Sequence, residues 1–490
     1  MLSLLIIKEF KSILQSPKFV ATIVTCTVLI LLSFYIGIQE YKESVAQYET
    51  GISVTEQGVR EQTSWGQVQN NVFRQPDPMQ IFVSGINNDI GRLSSVSNYA
   101  SVKLRNSHYS DNPLFAVFRF IDITFIFMIV LSLFAIMFTY DAINGERESG
   151  TLKLVFSNSV PRAQYLIAKF AGSWLGLVIP LLIPILLGLL MINLFQIPLT
   201  SEHWMKIGIL FGISFLFFTF FICLGLFVSA LTSKSSASFL ILLVSWISLV
   251  LILPRIGIMI AGEVVHVPSI AEVESKKDGF TKDSWDSFTK VMQERWQKRN
   301  EEVQNAGKTE AEQQAYRDEK EWSWLEEDDA ARKKNQADIA EYSRKLSEEN
   351  RNLKTQQEEL GFALSRFSPV SSYLLASMTL AGTDVALKSR YESGLEEYKK
   401  TYSQFVETEQ KKSGQVGGIR INMDSRKGFS FQTDEGAKTL NSTDMPKFQY
   451  TQAGIGELFG NTLIDWGLLA IYSILIFFVS FLMFLKYDVR

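Results

Sequence analysis

Two glutamates straddle an arginine at Glu146, Arg147 and Glu148. The residues that follow, Ser149-Gly150-Thr151-Leu152, read as a helix stop and restart, with Thr151 able to cap the new turn. Charge of both signs beside a short apolar face (Leu152, Leu154, Val155, Phe156) suits docking. Charges set register against a partner, and apolar side chains resist slipping. The alternative is a solvated loop with an interfacial turn. Residues for bond-breaking chemistry are sparse. His108, His203 and His266 stand far apart, and Cys26 and Cys223 both fall in apolar runs, so neither a metal-ligand spacing nor a disulfide framework exists. Gly307-Lys308-Thr309 resembles the end of a phosphate-binding loop, but the first glycine of that motif would fall at Glu302. No H-E-x-x-H or G-x-S-x-G motif appears, which leaves an intramembrane enzyme unsupported.

The elements around that stretch are membrane spans. Of 490 residues, 47% are hydrophobic and 36 are Phe, yet 20% are charged, which separates spans from hydrophilic domains. The net charge of −3 does not suggest a nucleic-acid partner. Residues 19–38 form an apolar run long enough to cross about 30 Å of hydrocarbon, without the cleavage site of a signal peptide. Further spans are expected at 115–140, 165–195, 207–231, 236–261 and 461–485. The fold class is thus an α-helical membrane protein of six spans with a mainly helical extracytoplasmic domain. Pro180 and Pro184 predict a kink or break in the third span. Gly208, Gly212 and Gly225 predict close helix contacts in the fourth.

Lysine and arginine in the short segments set the orientation. Lys8, Lys11, Lys18, Arg147, Lys153, Arg162, Lys169, Lys234, Lys486 and Arg490 fall on one side of a six-span chain. Both termini and the 141–164 segment are therefore expected in the cytoplasm, and 39–113 and 262–460 outside it. In residues 1–18 the apolar positions lie largely on one helical face, with Lys8, Glu9 and Lys11 towards the other and Pro17 marking a bend. This predicts an amphipathic helix lying in the lipid interface; the alternative is an extension of the first span.

Residues 262–460 must form a domain. Trp285, Phe288, Met292 and Trp296 make one helical stripe. After Gly307, Ile339, Leu346, Leu353 and Leu360 recur every seven residues with a weak second core position. Two long antiparallel helices are expected from about 284 to 364, with a single solvated helix as the alternative. Residues 371–382 are apolar but short, suiting an interfacial or buried helix better than a span. A helix at 384–412 carries Tyr391, Leu395, Tyr398, Tyr402 and Phe405, and 419–452 alternates like short strands. Four charges at span edges are candidate functional groups: Arg119 with Asp122 on one helix face, Arg255, and Asp465. Pairing or snorkelling is the competing account of each.

The stretch GERESGTLKLVFSNSVPRAQYLIAKF resembles the E-x-E-x-G-T-L signature of ABC-2-type transporter permeases. Asn158-Ser159 stands where that family often has Thr-Pro. LPRIG (253–257), RFSP (366–369) and MPKF (445–448) look like a subgroup with a large extracytoplasmic insertion before the last span. The resemblance implies a non-catalytic permease subunit with 141–164 as the region docking on an ATPase. ATPase-coupling contacts would fall on Glu146, Arg147, Glu148, Gly150, Thr151, Leu152 and Arg162. It also implies two copies of a cytoplasmic ATPase subunit, a second permease subunit (identical or related), and no cofactor in this chain, ATP and Mg being bound by the ATPase. Membrane lipid and an extracytoplasmic protein are the other expected partners. Export of a substrate is the leading function; movement delivered to an external partner, without translocation, is the alternative. A sensor is disfavoured by the lack of a sizeable cytoplasmic output domain.

Overall fold

Ser16 sets where the first long helix begins. Its Oγ accepts from Phe19 N at 3.2 Å, and Pro17 takes the first helical position, where its missing N–H is no loss. Helix α1 (Leu2–Leu14) is therefore separate from α2 (Pro17–Arg60), not an extension of it. The computed structural model describes residues 2–485, apart from 64, 66, 67, 69, 89, 91, 97–102, 106–121, 159, 414, 417, 418, 425–427 and 434–439. The chain divides into two units, Met1–Leu253 with Ser368–Arg490, and Pro254–Phe367.

After α2 come α3 (residues 123–139, with a π-helical turn at Ile126–Leu131), α4 (Asn144–Glu148) and α5 (Thr151–Ser157). Then follow α6 (Arg162–Leu194), α7 (Ser201–Leu231) and α8 (Ser235–Val264, with a π-helical turn at Ile247–Ile252). The second unit holds α9 (Ile270–Ala306) and α10 (Glu310–Ser365). The first resumes with α11 (Pro369–Ala381), α12 (Ala386–Ser413) and α13 (Ile455–Leu485). The start of the expected 115–140 span lies outside the described residues. Helix α6 runs unbroken through Pro180 and Pro184, where a kink or break was expected. Prolines persist in membrane helices because neighbouring groups satisfy the freed carbonyls. In α7, a Cβ at Gly225 would overlap Thr139 of α3, and one at Gly212 would press on Trp466 of α13 at 3.0 Å, whereas Gly208 faces open space.

Among the described residues, seven helices are long and apolar enough to cross a membrane, one more than the expected six. The seventh, Pro369–Glu409, is not one continuous rod. Gly382 adopts φ +68° and ends α11 after 13 residues, about 20 Å of helix. That is short of a bilayer, and α11 is instead buried against α7 and α13. The Tyr373 ring stacks on Phe217 at 4.5 Å, and its hydroxyl lies 3.2 Å from Ser214 Oγ. Ser368 Oγ donates to Leu249 O at 2.6 Å, satisfying a carbonyl in the π-helical turn of α8. The other π-helical turn ends beside Ser132, whose Oγ accepts from Trp246 Nε1 at 2.8 Å.

Two segments far apart in the chain share one core. Strands β1 (Asn70–Phe73), β2 (Leu93–Val96) and β3 (Lys103–Arg105) form an antiparallel sheet. Val72 and Val96 pack on Leu387, Tyr391, Leu395, Tyr398 and Tyr402 of α12. Asn70 Nδ2 donates to Tyr398 Oη at 2.7 Å, and Tyr398 Oη donates in turn to Pro446 O. Buried phenols need such partners. The INMD and GFSFQ segments lie on β5 (Ile419–Asp424) and β6 (Gly428–Thr433), which pair in antiparallel register beside β4 (Gln415–Val416).

In the second unit, α9 and α10 are antiparallel. The Phe280 and Tyr342 rings stack at 4.0 Å, and Arg299 bonds Asp328 at 2.6 Å and Glu327 at 3.1 Å while lying over Trp324. Ile339, Leu346, Leu353 and Leu360 are half-buried along the seam. The weak second position is filled by polar side chains with partners: Asn350 Nδ2 reaches Pro268 O and Gln357 Nε2 reaches Val265 O. Of the aromatic stripe in α9, only Phe288 and Met292 turn inward; Trp285 and Trp296 are exposed.

Candidate functional site

The helices α4 and α5 are joined by Gly150, whose φ of +74° only glycine adopts without strain. Gly150, not Thr151, is the N-cap of α5. Thr151 Oγ1 instead reaches back to Glu146 O at 3.2 Å and lies 2.9 Å from Ser149 Oγ. Leu152 is buried in a cluster with Ile143, Val160, Tyr165, Leu166, Ala230 and Phe484. Tyr165 and Phe484 stack at 5.4 Å and 13°, and Phe156 closes on both rings. The expected apolar face therefore points mostly inward. Leu154 is the exception, 66% exposed beside exposed Lys153, Ser157 and Thr151.

Glu146 is mostly turned away from solvent, its side chain 17% exposed. Its Oε1 lies 2.8 Å from Lys169 Nζ and 3.5 Å from Lys8 Nζ, and its Oε2 accepts from Tyr165 Oη at 2.7 Å. Lys169, with a side chain 5% exposed, also pairs with Glu9 at 2.9 Å. A buried cation between two carboxylates ties α1, α4 and α6 together. Close approach of α1 is permitted at Gly172, where a Cβ would overlap Glu9 Cβ. Nearby, Lys18 Nζ bonds Asp141 at 2.6 Å and Tyr140 Oη at 2.9 Å, tying α2 to the end of α3.

The turn between α7 and α8 is the other anchor. Glu148 accepts from Ser235 N at 2.9 Å and Ser235 Oγ at 2.8 Å, placing a carboxylate at the N-terminus of α8. Arg147 Nη1 donates to Ser233 Oγ at 3.2 Å. Buried Asn144 donates to Thr232 Oγ1 and accepts from Ser235 Oγ, and Ser229 Oγ accepts from Ile143 N. Arg162 Nη1 donates to Phe484 O at 3.3 Å and to Leu485 O, a cation at the C-terminus of α13. Sequence reasoning missed the latch formed by Ser229, Thr232 and Ser235. The polar cluster LTSKSS at 231–236 was its only signal, and which side chains it would meet is a tertiary matter.

The edge charges do not assemble with these residues. Asp122 is the N-cap of α3, accepting from Phe125 N at 2.7 Å and Ser84 N at 3.1 Å, and so is not on a helix face; Arg119 lies outside the described residues. Arg255 is exposed in the second unit, and Asp465 is buried within α13. Among the described residues no group of three His, Cys, Asp or Glu side chains could hold a metal.

A bundle of membrane-length helices, with a short helical segment bonded to four of them, defines a multi-pass membrane protein. Residues 4–489 match the model of the ABC-2 family transporter protein family, and the chain belongs to that family. It is the membrane component of an ABC transporter, a class that works with an ABC ATPase. No curated protein matches the chain.

Proposed function

We propose that this chain is the permease of an ATP-driven exporter in a bacterial inner membrane, with both termini and residues 144–157 in the cytoplasm. Two ATPase subunits dock there and drive a pair of permease subunits. The observation that carries the reading is the clamp: Glu146 ties α4 to Lys8 of α1 and Lys169 of α6, Asn144 and Glu148 tie it to Ser229 of α7 and Ser235 of α8, and Phe156 of α5 packs on Phe484 of α13, while Lys153 and Leu154 stay exposed. A partner gripping that exposed edge moves several spans at once. The ATPase, not this chain, binds ATP and Mg. The test is the double variant Lys153→Glu with Leu154→Asp, which leaves every bond of the clamp intact. It should lose co-purification with the ATPase, or lose substrate-dependent ATP turnover. Wild-type assembly and coupling would remove the docking assignment.

Delivery of movement to an external partner is the second reading, favoured by the α9–α10 hairpin. Helix α10 alone has 56 residues, about 84 Å, with Trp322 exposed on it and Trp296 exposed on α9. Substrate flux from vesicles holding the reconstituted complex separates the two: flux supports export, and ATP turnover without flux supports the second.

A further inference from the structure

Just past the apolar run 19–38, α2 turns a polar face towards β1 and β2. Glu40, Glu43, Ser44 and Gln47 lie three and four residues apart, hence on one helical face. They line a cavity of about 220 Å³ whose other wall includes Arg74 and Arg92. A water occupies about 30 Å³ of liquid, so the cavity has room for a small molecule.

Arg74 is the residue that asks for a ligand. It is 5% exposed, and Nη2 donates to Asn87 O at 2.9 Å, but Nε meets no acceptor. Among the described residues no carboxylate lies within ion-pair distance of it. The Tyr391 ring, 5.7 Å away, offers only its face. Burial pushes the guanidinium below its ordinary value. A buried guanidinium that keeps its charge is costly until an anion compensates it. Acceptors sit on the opposite wall. Glu43 is exposed at the rim, its carboxylate taking a single long bond from Gln47 at 3.4 Å, and Glu40 accepts from Asn88 Nδ2.

We propose that this cavity binds a small zwitterion, with its anionic group on Arg74 and its ammonium against the Glu43 side. Opposite charges on facing walls select a ligand carrying both, and discriminate against a simple anion. The chemistry comes from two sources: a free phosphate or carboxylate zwitterion, or the headgroup of a lipid such as phosphatidylethanolamine. Glu40 follows the apolar run by two residues, which puts the cavity at headgroup depth. None of these residues belongs to the 144–157 segment, so this assignment stands apart from the coupling reading.

The full chain in phosphatidylglycerol nanodiscs, titrated calorimetrically with O-phosphoethanolamine, should show saturable binding at one site. Arg74→Gln should abolish it. Because that buried change can also disturb folding, the rim variant Glu43→Gln decides: it should weaken O-phosphoethanolamine about tenfold while leaving inorganic phosphate unchanged. Weaker apparent binding in phosphatidylethanolamine nanodiscs identifies the headgroup as occupant, and unchanged binding identifies a free ligand. No saturable binding, or binding that Glu43→Gln does not weaken, overturns the proposal.

Discussion

Lys169 Nζ lies within 2.9 Å of carboxylates from two other helices, Glu9 on α1 and Glu146 on α4. Glu9 stands 160 residues away in the chain, and the cation is nearly sealed from solvent. Removing one member of a buried ion pair costs about 3–5 kcal/mol, because the remaining charge loses its compensation. Lys169→Met leaves two carboxylates facing each other. It should lower the Tm of the detergent-solubilised chain well below that of Lys153→Met, whose side chain is exposed. Equal melting of the two variants would mean that the cluster is not a clamp.

Gly150→Ala tests the joint between α4 and α5. A Cβ there meets nothing within 4 Å, so the change isolates backbone strain at φ +74°. The expected penalty is about 1–2 kcal/mol. Gly150→Asn should be milder, since Asn tolerates that conformation. Thermal unfolding ordered Gly, Asn, Ala supports this account; an alanine variant as stable as the parent contradicts it.

Orientation is open to chemical labelling. Ser347 is exposed on α10, whereas both native cysteines, Cys26 and Cys223, are buried and give little background. A membrane-impermeant maleimide added to intact cells should modify Ser347→Cys. Modification only after the cells are opened would reverse the topology proposed here.

The turn of the hairpin should respond to acid. Glu312 Oε2 accepts from Thr309 N at 3.2 Å and Lys308 N at 3.0 Å, and these bonds, the Thr309 one foremost, hold its carboxyl below the usual glutamate range. A depressed value means stability that is present above the ordinary glutamate pKa of about 4.3 and lost as pH falls through the folded value. Amide exchange at Lys308 and Thr309, corrected for the intrinsic rate, should therefore rise between about pH 5 and about pH 3. Glu312→Gln should remove that pH dependence. A flat profile in the parent would dismiss the carboxylate's part in the cap.

What could be read beforehand divides along the range of the interactions. Apolar runs, the break at Pro17 and the seven-residue recurrence from Ile339 to Leu360 are local patterns, and local geometry suffices to interpret them. The GTLKL restart was equally legible, since Gly150 announces its own backbone. The burial of Glu146 was not legible, because its partners Lys8 and Lys169 lie on helices whose neighbours no local pattern specifies. The same holds for the core joining Val72 and Val96 to Tyr391 and Tyr402. Helix α11 was legible as too short for a span, interfacial or buried. Its placement against the π-helical turns of α3 and α8 was not, because π turns have no recognisable spacing.

Helix α2 passes without interruption from Lys18, bonded to Asp141, through Glu40 and Glu43 at the cavity, to Gly51, which abuts the Phe73 ring. Its 44 residues span about 66 Å, roughly twice the hydrocarbon thickness of about 30 Å. A rod of that length has no joint in which a tilt can dissipate. A small rotation imposed at Lys18 arrives at the far end as a wider swing, and a molecule wedged against Glu43 would brake the same swing from the middle.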